Sequence, residues 1–399
     1  VFRELWDEIA PIGRDPRTGG YLRLAWTEPE RELREWFAAQ AARRGMPVTD
    51  DGNGNLFAWL GDPADGGAVL TGSHFDSVPQ GGGYDGPLGI VSAFLAVDTL
   101  LARDARPRRP IGVVAFAEEE GGRFGVPCLG SRLLTGALDP DRAAALVDRD
   151  GVTLAAALGA RPAGADPDLL GKIGAFVELH VEQGRALAEV DAPVGVASAI
   201  WPHGRWRLDF TGEGNHAGTT LMADRRDPML TYAFTVLAAN KEARLRGAHA
   251  TMGRVEVTPN ATNAVPSLVR GWLDARAADA ATLDALLGGV TAKARDRAGR
   301  DGTAVSVTQE SLTPVVEFDN ALRGRLGAAV AARTGLRVPV LPTGAGHDAG
   351  VLSGHLPTAM LFVRNPTGVS HSPAETAGDD DCVAGVEALA AALGELACD

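Results

Sequence analysis

Short runs of apolar residues without polar alternation constrain this chain more than any other feature. "AVLTGS", "PIGVVAFAEEEG", "KIGAFVELHVEQG" and "LPTAMLFVRN" are too short for ordinary helices and too uniformly apolar for strands with one wet face. Such strands need cover on both sides. The segments between them supply it: "PERELREWFAAQAARRG" has helical spacing ending at Gly45, and "PLGIVSAFLAVDTLLA" reads as a buried helix. The pattern predicts an α/β fold, a mainly parallel sheet flanked by helices.

From about Trp206 to Val316 the pattern changes. "RWRLDFTG", "ATMGRVEVTP" and "SLVRGWLDAR" alternate like half-exposed strands, with helical stretches between them. This predicts an α+β domain over 206–316, inserted into a first domain made of 1–205 and 317–399. The 399 residues suffice for two cores.

Composition narrows the partners. The net charge is −13, with acidic and basic residues interspersed and no Lys/Arg block to track a phosphate backbone, which argues against nucleic acid and anionic membranes. Cys128, Cys382 and Cys398 lie too far apart to suggest a disulfide framework or a thiolate zinc site. No apolar run approaches the length of a membrane span, and "VFRELWDEIAPIG" reads as an amphipathic helix rather than a signal peptide, so a cytoplasmic setting is expected.

In a parallel α/β sheet, ligands bind beyond the carboxyl ends of the strands. The polar residues there are His74, Asp76 and Asp85 in "GSHFDSVPQGGGYDG", then Glu118, Glu119 and Glu120, then His180, then His371. Singly, each has an ordinary reading as a hydrogen-bonded turn residue or a solvated strand end. Jointly, His, Asp, Glu, His and His at successive ends could hold two cations if one carboxylate bridges them. Asp85 is the natural bridge, because its glycine neighbours let backbone come close. Two such ions, roughly 3.5–4 Å apart, would polarise a carbonyl and lower the pKa of a water. A phosphate-binding reading of "PQGGGYDG" is weaker, since no Lys-Ser/Thr follows the glycines.

Taken in order, "GSHFDSVPQGGGYDGPLGI", "AEEEGGRFG", "ELHVEQG", "NHAGTTLM", "TNAVPS", "GAGHDA" and "SHSPAE" resemble the metal-dependent amidohydrolases of the M20 peptidase superfamily. The likeness is to the branch of N-carbamoyl-L-amino acid hydrolases, β-ureidopropionases and allantoate amidohydrolases. It implies His74, Asp85 and His180 on one divalent ion, with Asp85, Glu120 and His371 on the other, the metals being Zn, Mn or Co. Asp76 would hold the His74 ring through its second nitrogen, Glu119 would be the general base, and Glu118 merely the last residue of its strand. In the inserted lid and dimerisation domain, His216 would stabilise an oxyanion in the partner subunit of a homodimer. Asn263 and Arg276 match a grip on a substrate carboxylate, and Gln183, Gly346 and His347 would complete the pocket. The implied reaction is hydrolysis of a linear C–N bond in a carbamoyl or ureido group on a small carboxylate substrate. An N-carbamoyl-L-amino acid is the leading substrate; an allantoate or ureidoglycolate amidohydrolase and an aminopeptidase or aminoacylase are the alternatives, and a non-catalytic metal-dependent binder is the alternative from another class.

Three positions depart from the family pattern: Leu221 where proline is expected, Pro87 where a small residue is usual, and His203. The last bears on substrate choice, because an amide stands there in ureide-cleaving members and an apolar residue in carbamoylases.

Overall fold

The computed structural model describes residues 2–398, which divide into two compact units. One comprises the residues up to Ala199 together with those from Glu317 onward, and the other is Ile200–Val316. The division falls at Ile200 rather than at 206, because the strand His203–Thr211 pairs along its whole length within the second unit.

The first unit is built on a nine-stranded sheet. Its centre is four parallel strands in the order Ile111–Phe116, Ala68–His74, Ile173–Val181 and Thr358–Val363. Outside them the pairing turns antiparallel, through Leu56–Leu60 and Val48–Asp50 on one side and Val194–Ile200 on the other. Side chains alternate between the faces of a strand. Val69, Val113, Val177, Leu179 and Leu361 enter the main core, which the helices Pro87–Ala102, Asn320–Thr334 and Asp379–Ala397 cover. Leu70, Val114, Phe176 and Phe362 take the opposite face, and on the same alternation so do His74, Glu178 and His180. The apolar runs thus behave as expected, buried on both sides.

Helix Pro87–Ala102 starts abruptly. Gly86 precedes it at φ 86, a conformation glycine adopts without strain, and Pro87 takes the first helical position, where its missing N–H costs nothing. Pro87 therefore sits where proline is favoured.

The second unit is a four-stranded antiparallel sheet in the order Ala304–Thr313, His203–Thr211, Leu268–Arg276 and His249–Thr258. Its alternating strands bury Trp206, Leu208, Phe210, Val269 and Leu273 with residues of the helices Pro228–Arg246 and Ala280–Asp301. Leu221 lies exposed just before a short turn of helix at Met222. Among the described residues, no helix is long and apolar enough to cross a membrane.

Candidate metal centre

The carboxyl ends of the parallel strands meet at one level. His74 is the register partner of Phe116, and His180 that of Phe362. The loops leaving these ends bring the remaining residues in. His74 Nε2 and His180 Nε2 lie 3.6 and 3.2 Å from Asp85 Oδ1. His371 Nε2 lies 3.3 Å from Asp85 Oδ2 and 3.3 Å from Glu120 Oε2. Two groups of potential ligands result, His74 with Asp85 and His180, and Asp85 with Glu120 and His371, each with its donor atoms within 4.8 Å of one another.

The imidazoles are set to offer lone pairs. His74 Nδ1 bonds the Asp76 carbonyl at 3.0 Å and His180 Nδ1 the Val181 carbonyl at 2.9 Å. Each therefore donates from Nδ1 and keeps Nε2 as an acceptor facing a carboxylate oxygen. Among the described residues His74 Nε2, His180 Nε2 and Glu120 Oε1 are buried without a hydrogen-bond partner. Acceptors facing acceptors repel unless something positive stands between them. A mixed imidazole and carboxylate set of this kind fits a divalent cation of the Zn, Mn or Co type.

Bonds to Asp85 and Glu120 push His371 up to about 11. Burial alone would raise Asp85, but the imidazoles of His180, His371 and His74 beside it hold it well below the usual carboxylate range. Burial pushes Glu119 well up, with His74 opposing, and its Oε2 lies 3.6 Å from His74 Nε2.

Glycine makes the closeness possible. A Cβ on Gly86 would fall 2.4 Å from the His74 ring, and one on Gly82 would fall 2.2 Å from the carboxylate of Glu375. Glu375 accepts the N–H groups of Tyr84 and Asp85 at 2.9 and 3.0 Å, and Ser370 Oγ reaches both Glu375 and Asp85. Ser370 and Glu375 lie in or beside the "SHSPAE" motif, yet pairing them with the Asp85 loop needs a contact across most of the chain.

Two expectations need correction. The backbone carbonyl of Asp76, not its carboxylate, holds His74 Nδ1; the nearest carboxylate oxygen is 3.7 Å away. The carboxylate instead accepts the N–H groups of Glu119 and Glu120, both at 3.0 Å, and so fixes the turn that presents those residues. Glu118 is not the end of a strand, since the strand stops at Phe116. It is buried at φ 54, and its Oε1 accepts the N–H groups of Arg123 and Phe124 at 2.8 and 2.6 Å. Burial, with the charge of Asp76, pushes its carboxyl up to about 8. Glu118→Ala is expected to cost about 1–3 kcal/mol of stability through these orphaned donors. Glu118→Gln, which keeps an acceptor, should cost less. Urea midpoints for the two variants check this, and equal losses would refute the clamp.

The other expected residues fall as follows. Gln183 Nε2 donates to Asp85 Oδ2 at 2.9 Å. His347 is buried with its ring 4.5 Å from that of His180, and Gly346 precedes it facing open space. His347 also forms a third potential group with Glu178 and His180, but both Glu178 oxygens already accept bonds, from Ser73 Oγ and Ala349 N. In the second unit, Ala217 N donates to the Asn263 carbonyl beside His216, and His203 and Arg276 are register partners at the end of two strands. Arg276 is held by Asp274 at 2.9 and 3.2 Å.

The profile of peptidase family M20/M25/M40 matches residues 70–395. The N-carbamoyl-L-amino acid amidohydrolase of Geobacillus stearothermophilus is 36% identical over 98% of this chain and 98% of its own length. The allantoate amidohydrolase of Escherichia coli (strain K12) is 34% identical over 99% of this chain and 98% of its own length. A crystal structure of an amidase of the hydantoinase/carbamoylase family from Burkholderia vietnamiensis superposes with a TM-score of 0.88 at 32% identity, covering 100% of this chain and 98% of that one. The chain belongs to peptidase family M20/M25/M40, in the branch that holds the N-carbamoyl-L-amino acid and allantoate amidohydrolases.

Proposed function

We propose that this chain is a dinuclear metal-dependent amidohydrolase cleaving the linear C–N bond of an N-carbamoyl or ureido group on a small carboxylate substrate. An N-carbamoyl-L-amino acid is the leading substrate, giving the amino acid, ammonia and carbon dioxide. The observation that carries this reading is the convergence of three imidazole Nε2 atoms on the two oxygens of buried Asp85, with Glu119 alongside. The activities named for the relatives support it.

His74, Asp85 and His180 would hold one cation, and Asp85, Glu120 and His371 the other. Bound there, the cations would supply charge that polarises the scissile carbonyl and makes a water more acidic. Glu119 Oε2 takes the proton of the attacking water and hands it to the departing nitrogen. Its neighbour Glu120 is unsuited to that task, since a carboxylate engaged as a ligand loses most of its basicity. Asp76 keeps both in place by gripping their N–H groups. His216 is set to donate: its Nδ1 accepts the N–H groups of Gly218 and Thr219 at 3.0 and 3.2 Å, so the proton sits on Nε2, ready for a developing oxyanion. Arg276 and Asn263 would recognise the substrate carboxylate, with the guanidinium fork suited to a carboxylate. His203 stands beside Arg276 as a further contact. We place His216 in the partner subunit's site, as a homodimer would allow. The exposed Leu230, Leu237 and Leu245 on helix Pro228–Arg246 and Val255 on the edge strand His249–Thr258 offer apolar surface for such pairing.

The test uses protein reconstituted with Zn, Mn or Co, following ammonia release from N-carbamoyl amino acids, allantoate and ureidoglycolate and free amino acid release from dipeptides. Release from the carbamoyl or ureido compounds is expected, with none after chelation. Cleavage confined to dipeptides would overturn the reading.

A further inference from the structure

Glu119 carries two oxygens with different neighbours, one facing His74 and the other facing away from the ligand cluster into protein. The second, Oε1, lies 3.5 Å from Cys128 Sγ. Cys128 is buried and left-handed at φ 53, and its segment is laced to that of Glu119. Cys128 N donates to the Glu119 carbonyl at 2.6 Å, Leu129 N to Glu118 at 3.1 Å and Gly130 N to Ala117 at 2.9 Å. One step further out, Ser131 Oγ reaches the Cys128 carbonyl at 3.2 Å and Asp348 Oδ1 at 2.5 Å.

We propose that the Cys128 thiol sets the direction of the Glu119 carboxylate, while Ser131, held by Asp348, fixes the turn that carries Cys128, making Cys128 and Ser131 positioning residues for the proton transfer. The inference rests on the reading of Glu119 as the base. Ser131 has one proton for two oxygen partners, so both its contacts are made when Asp348 donates to Ser131 Oγ and Ser131 donates to the Cys128 carbonyl; separately, the Cys128 thiol donates to Glu119 Oε1. Two facts agree with these donors. Burial beside Glu178 pushes the Asp348 carboxyl up to about 8, and burial beside Glu119 and Asp348 keeps the Cys128 thiol protonated. A thiol suits the contact with Glu119, being a weak donor that orients a carboxylate without removing its basicity as a stronger donor would.

Cys128→Ala is expected to lower kcat about three- to tenfold, the worth of one modest hydrogen bond, with KM and cation content unchanged. Cys128→Ser, which keeps a donor, should recover at least half of the loss. Ser131→Ala should lower kcat less, and its effect should be smaller still when Cys128 is already Ala, because the two act in series. A second readout needs no turnover and is taken on cation-loaded protein without substrate. The S–H stretching band of Cys128, isolated as the infrared difference between the parent and Cys128→Ala, should move to higher frequency when Glu119 becomes Gln. A band that stays put would overturn the contact. Unchanged kcat in Cys128→Ala, or equal losses in the Ala and Ser variants, would overturn the positioning role. Failure of Glu119 as base is read separately, from Glu119→Gln turnover.

Discussion

Glu119→Gln is expected to lower kcat about a hundred- to ten-thousandfold while both cations remain bound. The substitution keeps the shape and the Cys128 contact but removes the carboxylate that faces His74 Nε2 without being a proposed ligand. The proposed ligand atoms of His74, Asp85, His180, Glu120 and His371 are untouched, and the N–H groups of 119 and 120 remain held by Asp76. Cation content measured by elemental analysis, alongside ammonia release, separates this from mere metal loss. Turnover within tenfold of the parent would sink the assignment.

Asp85 should give the second large effect. Three imidazole nitrogens reach its two oxygens at 3.2–3.6 Å, so its loss should empty both positions. Asp85→Ala is expected to retain no stoichiometric cation and to lose about a thousandfold or more in kcat, since several kcal/mol of charge stabilisation go with the ions. Asp85→Asn, which preserves volume and can still accept from Gln183 and Ser370, guards against a folding artefact. His371→Ala should behave differently and keep one cation. The His371 side chain is 47% exposed while those of His74 and His180 are fully buried, so limited chelator should strip the His371 position first. Simultaneous loss of both ions from His371→Ala would mean that the positions are not separable.

The proposed ligands were legible in the sequence because each follows an apolar run, and apolar runs become strands whose ends collect at one level. That inference needs only local pattern and a rule about parallel sheets. The antiparallel margins were not legible, because pairing of Leu56–Leu60 with Ile111–Phe116 depends on partners far apart in the chain. Three adjacent glutamates look alike on paper. In the fold Glu118 turns inward at positive φ to hold two N–H groups, Glu119 faces His74 and Glu120 faces His371. Asp76 was sensed as a partner of His74, but only turn geometry decides that its carbonyl takes the ring and its carboxylate the next loop. Cys128 and Asp348 lay inside or beside quoted motifs, yet what ties them is Ser131, which meets Asp348 across 217 positions of sequence.

Strand Thr358–Val363 lies between Ile173–Val181 and Val194–Ile200. During synthesis those two earlier strands emerge with a gap that stays open until Thr358–Val363 has left the ribosome. The interposed Ile200–Val316 unit, with its own core, is complete well before then. His371 is translated last of the five clustered side chains, so a nascent chain can assemble one half of the cluster but not the other. On the proposed reading, the second cation position is therefore completed later than the first.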